Sequence, residues 1–126
     1  MKDPLPAPLV MVVDDDDSVL DVLERLLLKW GYRTRAFRRF EEAKAQLEKT
    51  RPGPDALIVD VRLGNYNGLQ LVHLTKQAHP ETVIVVVSGF DDPVLRQEAA
   101  LVGAKYLLKP RDLTRIKDYL PPLTAN

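Results

Sequence analysis

Apolar residues in this chain come in short unbroken blocks, separated by stretches where they recur every three or four positions. Leu9-Val10-Met11-Val12-Val13, Ala56 to Val59, Thr82 to Val87 and Lys105 to Leu108 have the length of strands. The first three are nearly continuously apolar, as expected of strands covered on both faces of a sheet. Tyr32 to Phe37 is a weaker strand, with Arg33 and Arg35 alternating outward, so it belongs toward an edge. Between the blocks, Leu20, Leu23, Leu27 and Trp30 recur at helical spacing, with Asp16 or Asp17 as the cap and Gly31 as the stop. The same stripe places Trp30 at the interface of this helix. Phe40, Ala43 and Leu47 form a narrow stripe on a second helix, and a third runs from about Leu69 to Ala78, stopped near Pro80. Asp92-Pro93 reads as cap and first residue of a fourth helix continuing to Gly103. A fifth runs from about Asp112 to Leu120 and is terminated by Pro121-Pro122. Arg51-Pro52-Gly53-Pro54 breaks the chain before strand 3, and Arg62 to Gly68 reads as a loop with turn chemistry at Gly64, Asn65, Asn67 and Gly68.

Five strands alternating with five helices predict a doubly wound parallel α/β sheet, since right-handed crossovers lay helices on both faces. Such a sheet gathers its working loops at the carboxyl edge of the strands. At 126 residues there is one core and one domain, expected over residues 9–120. Residues 1–8, with three prolines, read as an extended leader, and residues 121–126 as a tail or the start of a linker.

Charge narrows the possible partners. Eighteen basic and eighteen acidic side chains cancel, so no net field draws the chain toward nucleic acid or membrane. Cysteine is absent, which excludes disulfides, thiolate metal sites and cysteine nucleophiles and fits a reducing compartment. No apolar stretch approaches the roughly 20 residues that span a bilayer, and the amino terminus lacks the apolar region of a secretory signal. The cytoplasm is the expected location.

The chemistry stands at the strand ends. Strand 1 runs into Asp14-Asp15-Asp16-Asp17, strand 3 into Asp60, strand 4 into Ser88 and strand 5 into Lys109-Pro110. Helix capping and dipole compensation suffice for Asp16 and Asp17. Asp14 and Asp15 precede the helix and sit at the strand edge. Three carboxylates gathered there repel one another unless a cation joins them, and a hard divalent ion such as Mg²⁺ suits an open oxygen-ligand site. Such an ion also screens an incoming phosphoryl group, toward which a carboxylate acts as nucleophile. Ser88 offers a hydroxyl donor and Lys109 a point cation for phosphoryl oxygens. Together these groups describe a phosphoryl-acceptor site. His73 and His79, six positions apart, lack the spacing of a zinc pair and are expected on the surface.

Over about Leu9 to Leu120 the chain resembles the receiver domain of two-component response regulators. The residues that carry the likeness are Val12 to Asp16, Asp60 through Gly68, Ser88-Gly89 and Lys109-Pro110. The resemblance implies a flavodoxin-like (βα)5 fold with strand order 2-1-3-4-5. It makes Asp60 the phosphoacceptor, with Asp15 and Asp60 binding Mg²⁺ directly, Asp14 acting through water and the Arg62 carbonyl adding a ligand. Ser88 matches the hydroxyl switch and Tyr106 the aromatic switch, although simple core packing accounts for Tyr106 equally well. A histidine kinase or histidine phosphotransfer protein is the implied donor. Movement of the Ser88 loop then lets Tyr106 turn inward and changes the surface of helix 4, strand 5 and helix 5, toward an effector domain or a second copy. Direct contact with nucleic acid or membrane is not expected. The domain assists its own phosphorylation and dephosphorylation without being an enzyme.

Four positions depart from the commonest family pattern: Arg62 two residues past the acceptor, Gly64 where proline is usual, Gly89 where alanine is usual, and Arg111 where an apolar residue is frequent. Two other readings use the same residues. A small Mg²⁺-dependent phosphatase with an aspartyl-phosphate intermediate wants a second acid where Arg62 stands, and a cap for which there is no room. A receiver-like binding module that works without phosphorylation leaves the acid, hydroxyl and lysine set unexplained.

Overall fold

In a computed structural model, which describes residues 6–123, the apolar blocks form one parallel sheet. Its strands are β1 (Leu9–Val13), β2 (Arg33–Phe37), β3 (Ala56–Asp60), β4 (Val83–Ser88) and β5 (Lys105–Leu108), in the order β2-β1-β3-β4-β5. The continuously apolar strands β1, β3 and β4 are central, and Arg-bearing β2 lies at an edge, as its alternation predicts. Side chains alternate between two cores. Val10, Val12, Ile58, Val85 and Leu107 face one side, packed by Leu20, Leu23, Leu27, Leu113 and Ile116. Met11, Val13, Leu57, Val59, Ile84 and Val86 face the other, packed by Ala43, Leu47, Leu71, Val72 and Ala99.

The helices are α1 (Asp17–Trp30), α2 (Phe40–Lys49), α3 (Leu69–Ala78) and α4 (Pro93–Leu101). Asp16 caps α1 by accepting from the Ser18 and Val19 amides, and Gly31 ends it at φ 98°, a left-handed conformation glycine takes without a Cβ penalty. Asp92 caps α4 in the same way, with Pro93 in its first turn. That helix stops two residues short of Gly103, whose φ of 75° turns the chain toward β5. Trp30, half-buried, packs against the α1-side core at the end of α1 away from Asp16, about 20 Å along the axis at 1.5 Å per residue.

Three expectations are corrected. The fifth helix is a 3₁₀ helix, Leu113–Tyr119, flanked by Pro110 and Pro121-Pro122 and closed by bonds such as Arg115 N–H to the Asp112 carbonyl. The loop after Asp60 contains a minimal antiparallel hairpin, Arg62–Leu63 against Tyr66–Asn67, turned at Gly64. Tyr66 holds it against α2 by stacking on Phe40, with ring centroids 4.3 Å apart. Gly64 has φ 61°, which the ring of proline forbids, so its departure from the family pattern follows from the turn. His79 is buried: its Nε2 lies 2.8 Å from the Leu47 carbonyl, and the ring fills space that a Cβ on Gly53 would occupy. His73 is exposed.

Candidate functional site

The carboxyl edge collects side chains that lie far apart in sequence. Asp14 directly follows β1 and is wholly buried. Its Oδ1 accepts from the Asp16 amide at 2.9 Å, and its Oδ2 is 2.8 Å from Lys109 Nζ. Asp60 is the last residue of β3, 5% exposed; its Oδ1 accepts from the Arg62 amide at 3.3 Å, and its Oδ2 lies 3.1 Å from the same Nζ. Asp15 is exposed and accepts from the Gly64 amide at 3.2 Å, which ties the hairpin tip to the end of β1. Asp14, Asp15 and Asp60 each offer a carboxylate oxygen, and these oxygens lie within 4.8 Å of one another. Gly68 gives this arrangement its room, because a Cβ there would sit 2.0 Å from the Asp60 carbonyl oxygen.

The electrostatics follow from burial. Desolvation and then repulsion from Asp14 raise the Asp60 pKa to about 6, and attraction from Lys109 and the Arg62 amide only partly opposes them. Burial also works against the charge on Lys109. Hydrogen bonds and attraction from Asp14 and Asp60 together outweigh it, and its pKa lies above the ordinary lysine value. The result is a protonated lysine clamped between two carboxylates, one of which holds its own proton unusually well.

Ser88 ends β4 one residue beyond Val87, which pairs in register with Asp60. Its buried Oγ accepts from the Phe90 amide at 3.1 Å, and its carbonyl accepts from the Lys109 amide at 2.9 Å. Tyr106 is already turned inward, 6% exposed, and its hydroxyl donates to the Phe90 carbonyl at 2.7 Å. The Ser88 hydroxyl, the Phe90 backbone and the Tyr106 hydroxyl thus form one continuous chain of hydrogen bonds. Arg96 lies 4.8 Å over the Tyr106 ring and is paired with Asp91. Arg62 lies 4.8 Å over the Phe90 ring. Arg111 extends to Asp112, away from the acids.

Phe90 and Arg96 are the participants that sequence reasoning missed. An apolar residue directly after Ser88-Gly89 and outside any periodic stripe was the available signal for Phe90. Arg96 carries none, because an arginine in the first turns of a helix ordinarily faces water. Gly89 has nothing within 4 Å of where a Cβ would stand, so its departure from alanine answers no steric need.

The donor set fits a hard divalent cation. Three carboxylates converge at an open edge, one of them exposed, and all the available donors are oxygen.

A parallel α/β sheet of order 2-1-3-4-5 whose carboxyl edge joins acids from β1 and β3 to a lysine from β5 is a flavodoxin-like domain with a phosphoryl-acceptor arrangement. The chain belongs to the response regulator receiver domain family, whose model matches residues 10–121. Receiver domains are signalling phosphoacceptors. The chain is 33% identical over 105 residues to the DNA-binding transcriptional regulator NtrC of Proteus hauseri, covering 82% of this chain and 22% of that protein. It is 32% identical over 112 residues to the photosynthetic apparatus regulatory protein RegA of Rhodobacter capsulatus, covering 88% of this chain and 60% of that protein. The chain thus spans between about a fifth and three fifths of these relatives. Among solved structures, a Burkholderia pseudomallei response regulator with a phosphorylated aspartic acid, calcium ion and citrate superposes with TM-score 0.81 at 28% identity, covering 90% of this chain and 66% of that one. The beryllofluoride-activated NtrC4 receiver domain dimer gives TM-score 0.77 at 26% identity, covering 89% and 95%. Among the described residues, no helix is long and apolar enough to cross a membrane.

Proposed function

We propose that Asp60 accepts a phosphoryl group from a histidine kinase or histidine phosphotransfer protein in the cytoplasm and that Ser88, Phe90 and Tyr106 carry the event to the face formed by α4, β5 and the 3₁₀ helix. The observation that carries this reading is Lys109 Nζ held between Asp14 and Asp60, a cation placed beside a carboxylate at the open edge of the sheet. Asp15, Asp60 and the Arg62 carbonyl would hold Mg²⁺, with Asp14 beside them. Bound there, the ion neutralises charge on the phosphoryl oxygens.

In the transfer, an ionised Asp60 oxygen attacks phosphorus while the bond from phosphorus to the donor breaks, its electron pair leaving with the donor. The ammonium of Lys109 then shifts from the carboxylates to the new phosphoryl oxygens, and the Ser88 hydroxyl turns to donate to them. Because Tyr106 is already inward, the change reaches the surface through the Phe90 backbone, which both hydroxyls contact, and through Arg96 on the tyrosine ring. A ligand shifts such an equilibrium only by its differential interaction with the two packings, and the new Ser88 bond supplies that difference. The responding surface serves an effector domain or a second copy. A phosphorylated aspartic acid with calcium in one structural neighbour and a beryllofluoride-activated dimer in another support this reading.

With Mg²⁺ and acetyl phosphate, the protein gains one acid-stable, base-labile phosphoryl group by intact-mass spectrometry, and Asp60→Asn abolishes it. Equal labelling of wild type and variant overturns the assignment. Sustained turnover of phosphate esters would favour the phosphatase reading instead.

A further inference from the structure

Arg62 and Phe90 stand two residues beyond Asp60 and Ser88, and each is anchored to the group it follows. The Arg62 amide bonds the Asp60 carboxylate and the Phe90 amide bonds the Ser88 hydroxyl. Their side chains meet across the mouth of the site, guanidinium carbon 4.8 Å from the ring centroid, with Phe90 62% exposed. No carboxylate among the described residues forms an ion pair with Arg62, although Asp60 is within reach of its own backbone. Asp60 already has Lys109 on one oxygen and the Arg62 amide on the other, so the guanidinium rests on the aromatic face.

Phosphorylation changes that balance. A single carboxylate charge becomes a phosphoryl group of higher charge with three strong acceptor oxygens, which suit a planar guanidinium fork better than an ammonium. An exposed cation–π contact is weaker than a charge-assisted bond from guanidinium to a phosphoryl oxygen. The Arg62 amide already lies 3.3 Å from Asp60 Oδ1, so the residue that carries the guanidinium is tied to the acceptor carboxylate itself. We propose that Arg62 is a phosphoryl ligand held in reserve on Phe90, and that its transfer to the phosphoryl oxygens frees the Phe90 ring at the entry to α4. This rests on the phosphoacceptor reading of Asp60 and adds a second route of coupling beside Ser88: one relay works through the Phe90 backbone, the other through its ring.

The test uses beryllofluoride, a phosphoryl mimic, titrated with Mg²⁺ into the full chain and followed by amide and aromatic NMR. In the wild type, the Phe90 ring and Arg62 Nε–H resonances shift together with the amides around Asp60. Arg62→Ala weakens beryllofluoride binding about fivefold or more, the loss of a charge-assisted hydrogen bond offset by the clasp it no longer breaks. Phe90→Leu tightens it about two- to fivefold, the factor equivalent to the ~0.5–1 kcal/mol of an exposed cation–π contact. In the Arg62→Ala background Phe90→Leu has no further effect, because the two act through one contact. Binding with a stationary Phe90 ring, or with additive effects of the two substitutions, overturns the Arg62 transfer and leaves the phosphoacceptor intact. Failure of the wild type to bind at all overturns both.

Discussion

Asp60 is a carboxylate that gives up its proton late. Its pKa is about 6 in the fold, against 3.8 for the free side chain, because burial and Asp14 outweigh Lys109. Between those values the folded chain binds more protons than the unfolded one. The stabilising contribution of this proton is therefore complete below about pH 4 and is lost as pH rises through about 6. In metal-free protein, carbon NMR of the Asp60 carboxyl should show a midpoint near 6 that falls when Mg²⁺ is added, since a ligand must ionise to bind. Lys109→Met should raise the metal-free midpoint and Asp14→Asn should lower it. Movement of both in the same direction would contradict the assigned causes. At this scale the sequence pattern shows which chemical groups reach the edge but not their pairing: nothing in it says that Lys109 rests on Asp14 as well as Asp60. His79 was illegible for a different reason. A histidine before a proline at a helix end looks solvated, and only the missing Cβ of Gly53 makes room to bury it.

Glycine sorts the elements around the site. Gly68 has an ordinary helical φ of −59°, so its requirement is room and not conformation. Gly68→Ala should cost about 1–3 kcal/mol in urea unfolding, as overpacking does, and should disturb the amides around Asp60. Gly89→Ala should stay within about 0.5 kcal/mol, the usual range for a substitution that touches nothing. Similar losses in both would mean that the Asp60 loop yields more easily than its packing implies. Strands and capped helices were legible because two-sided burial leaves continuous apolar blocks and because Asp16 and Asp92 carry their capping role on their face. The fifth helix was legible in place but not in kind, since its apolar positions fit either helical pitch. The hairpin was hidden because a two-residue strand has no periodicity to detect, and its anchor, Tyr66 on Phe40, joins residues 26 positions apart.

For the molecule as a whole, the sheet separates two cores while its carboxyl edge holds the candidate chemistry, and on the proposed reading a signal travels along the rim. With beryllofluoride and Mg²⁺, wild-type NMR shifts should extend from the acids through Phe90 and Tyr106 to Asp112–Leu120. In Ser88→Ala they should stay largely near Asp60, although the variant still takes phosphate from acetyl phosphate. Shifts confined to the acids in the wild type would instead favour a module that binds phosphoryl without transmitting it. Strand direction was readable from alternating blocks and right-handed crossovers, and the strand order from the resemblance to receiver domains. The hydrogen-bonded path from Ser88 to Tyr106 was not, because it runs through the backbone of Phe90, and backbone hydrogen bonds leave no trace in residue type.

The bond from Lys109 to Asp14 joins positions 95 apart. Closing so long a loop is entropically costly and belongs to the slow, non-local part of assembly. A chain emerging from the ribosome therefore has its acids long before it has the cation that balances them. Until β5 docks, Asp14 and Asp60 face each other without Lys109. On the phosphoacceptor reading, competence to accept a phosphoryl group should therefore mature with β5. In refolding from urea, beryllofluoride binding should appear together with or after hydrogen-exchange protection of the β5 amides. Binding that precedes this protection would show that the site assembles without its final strand.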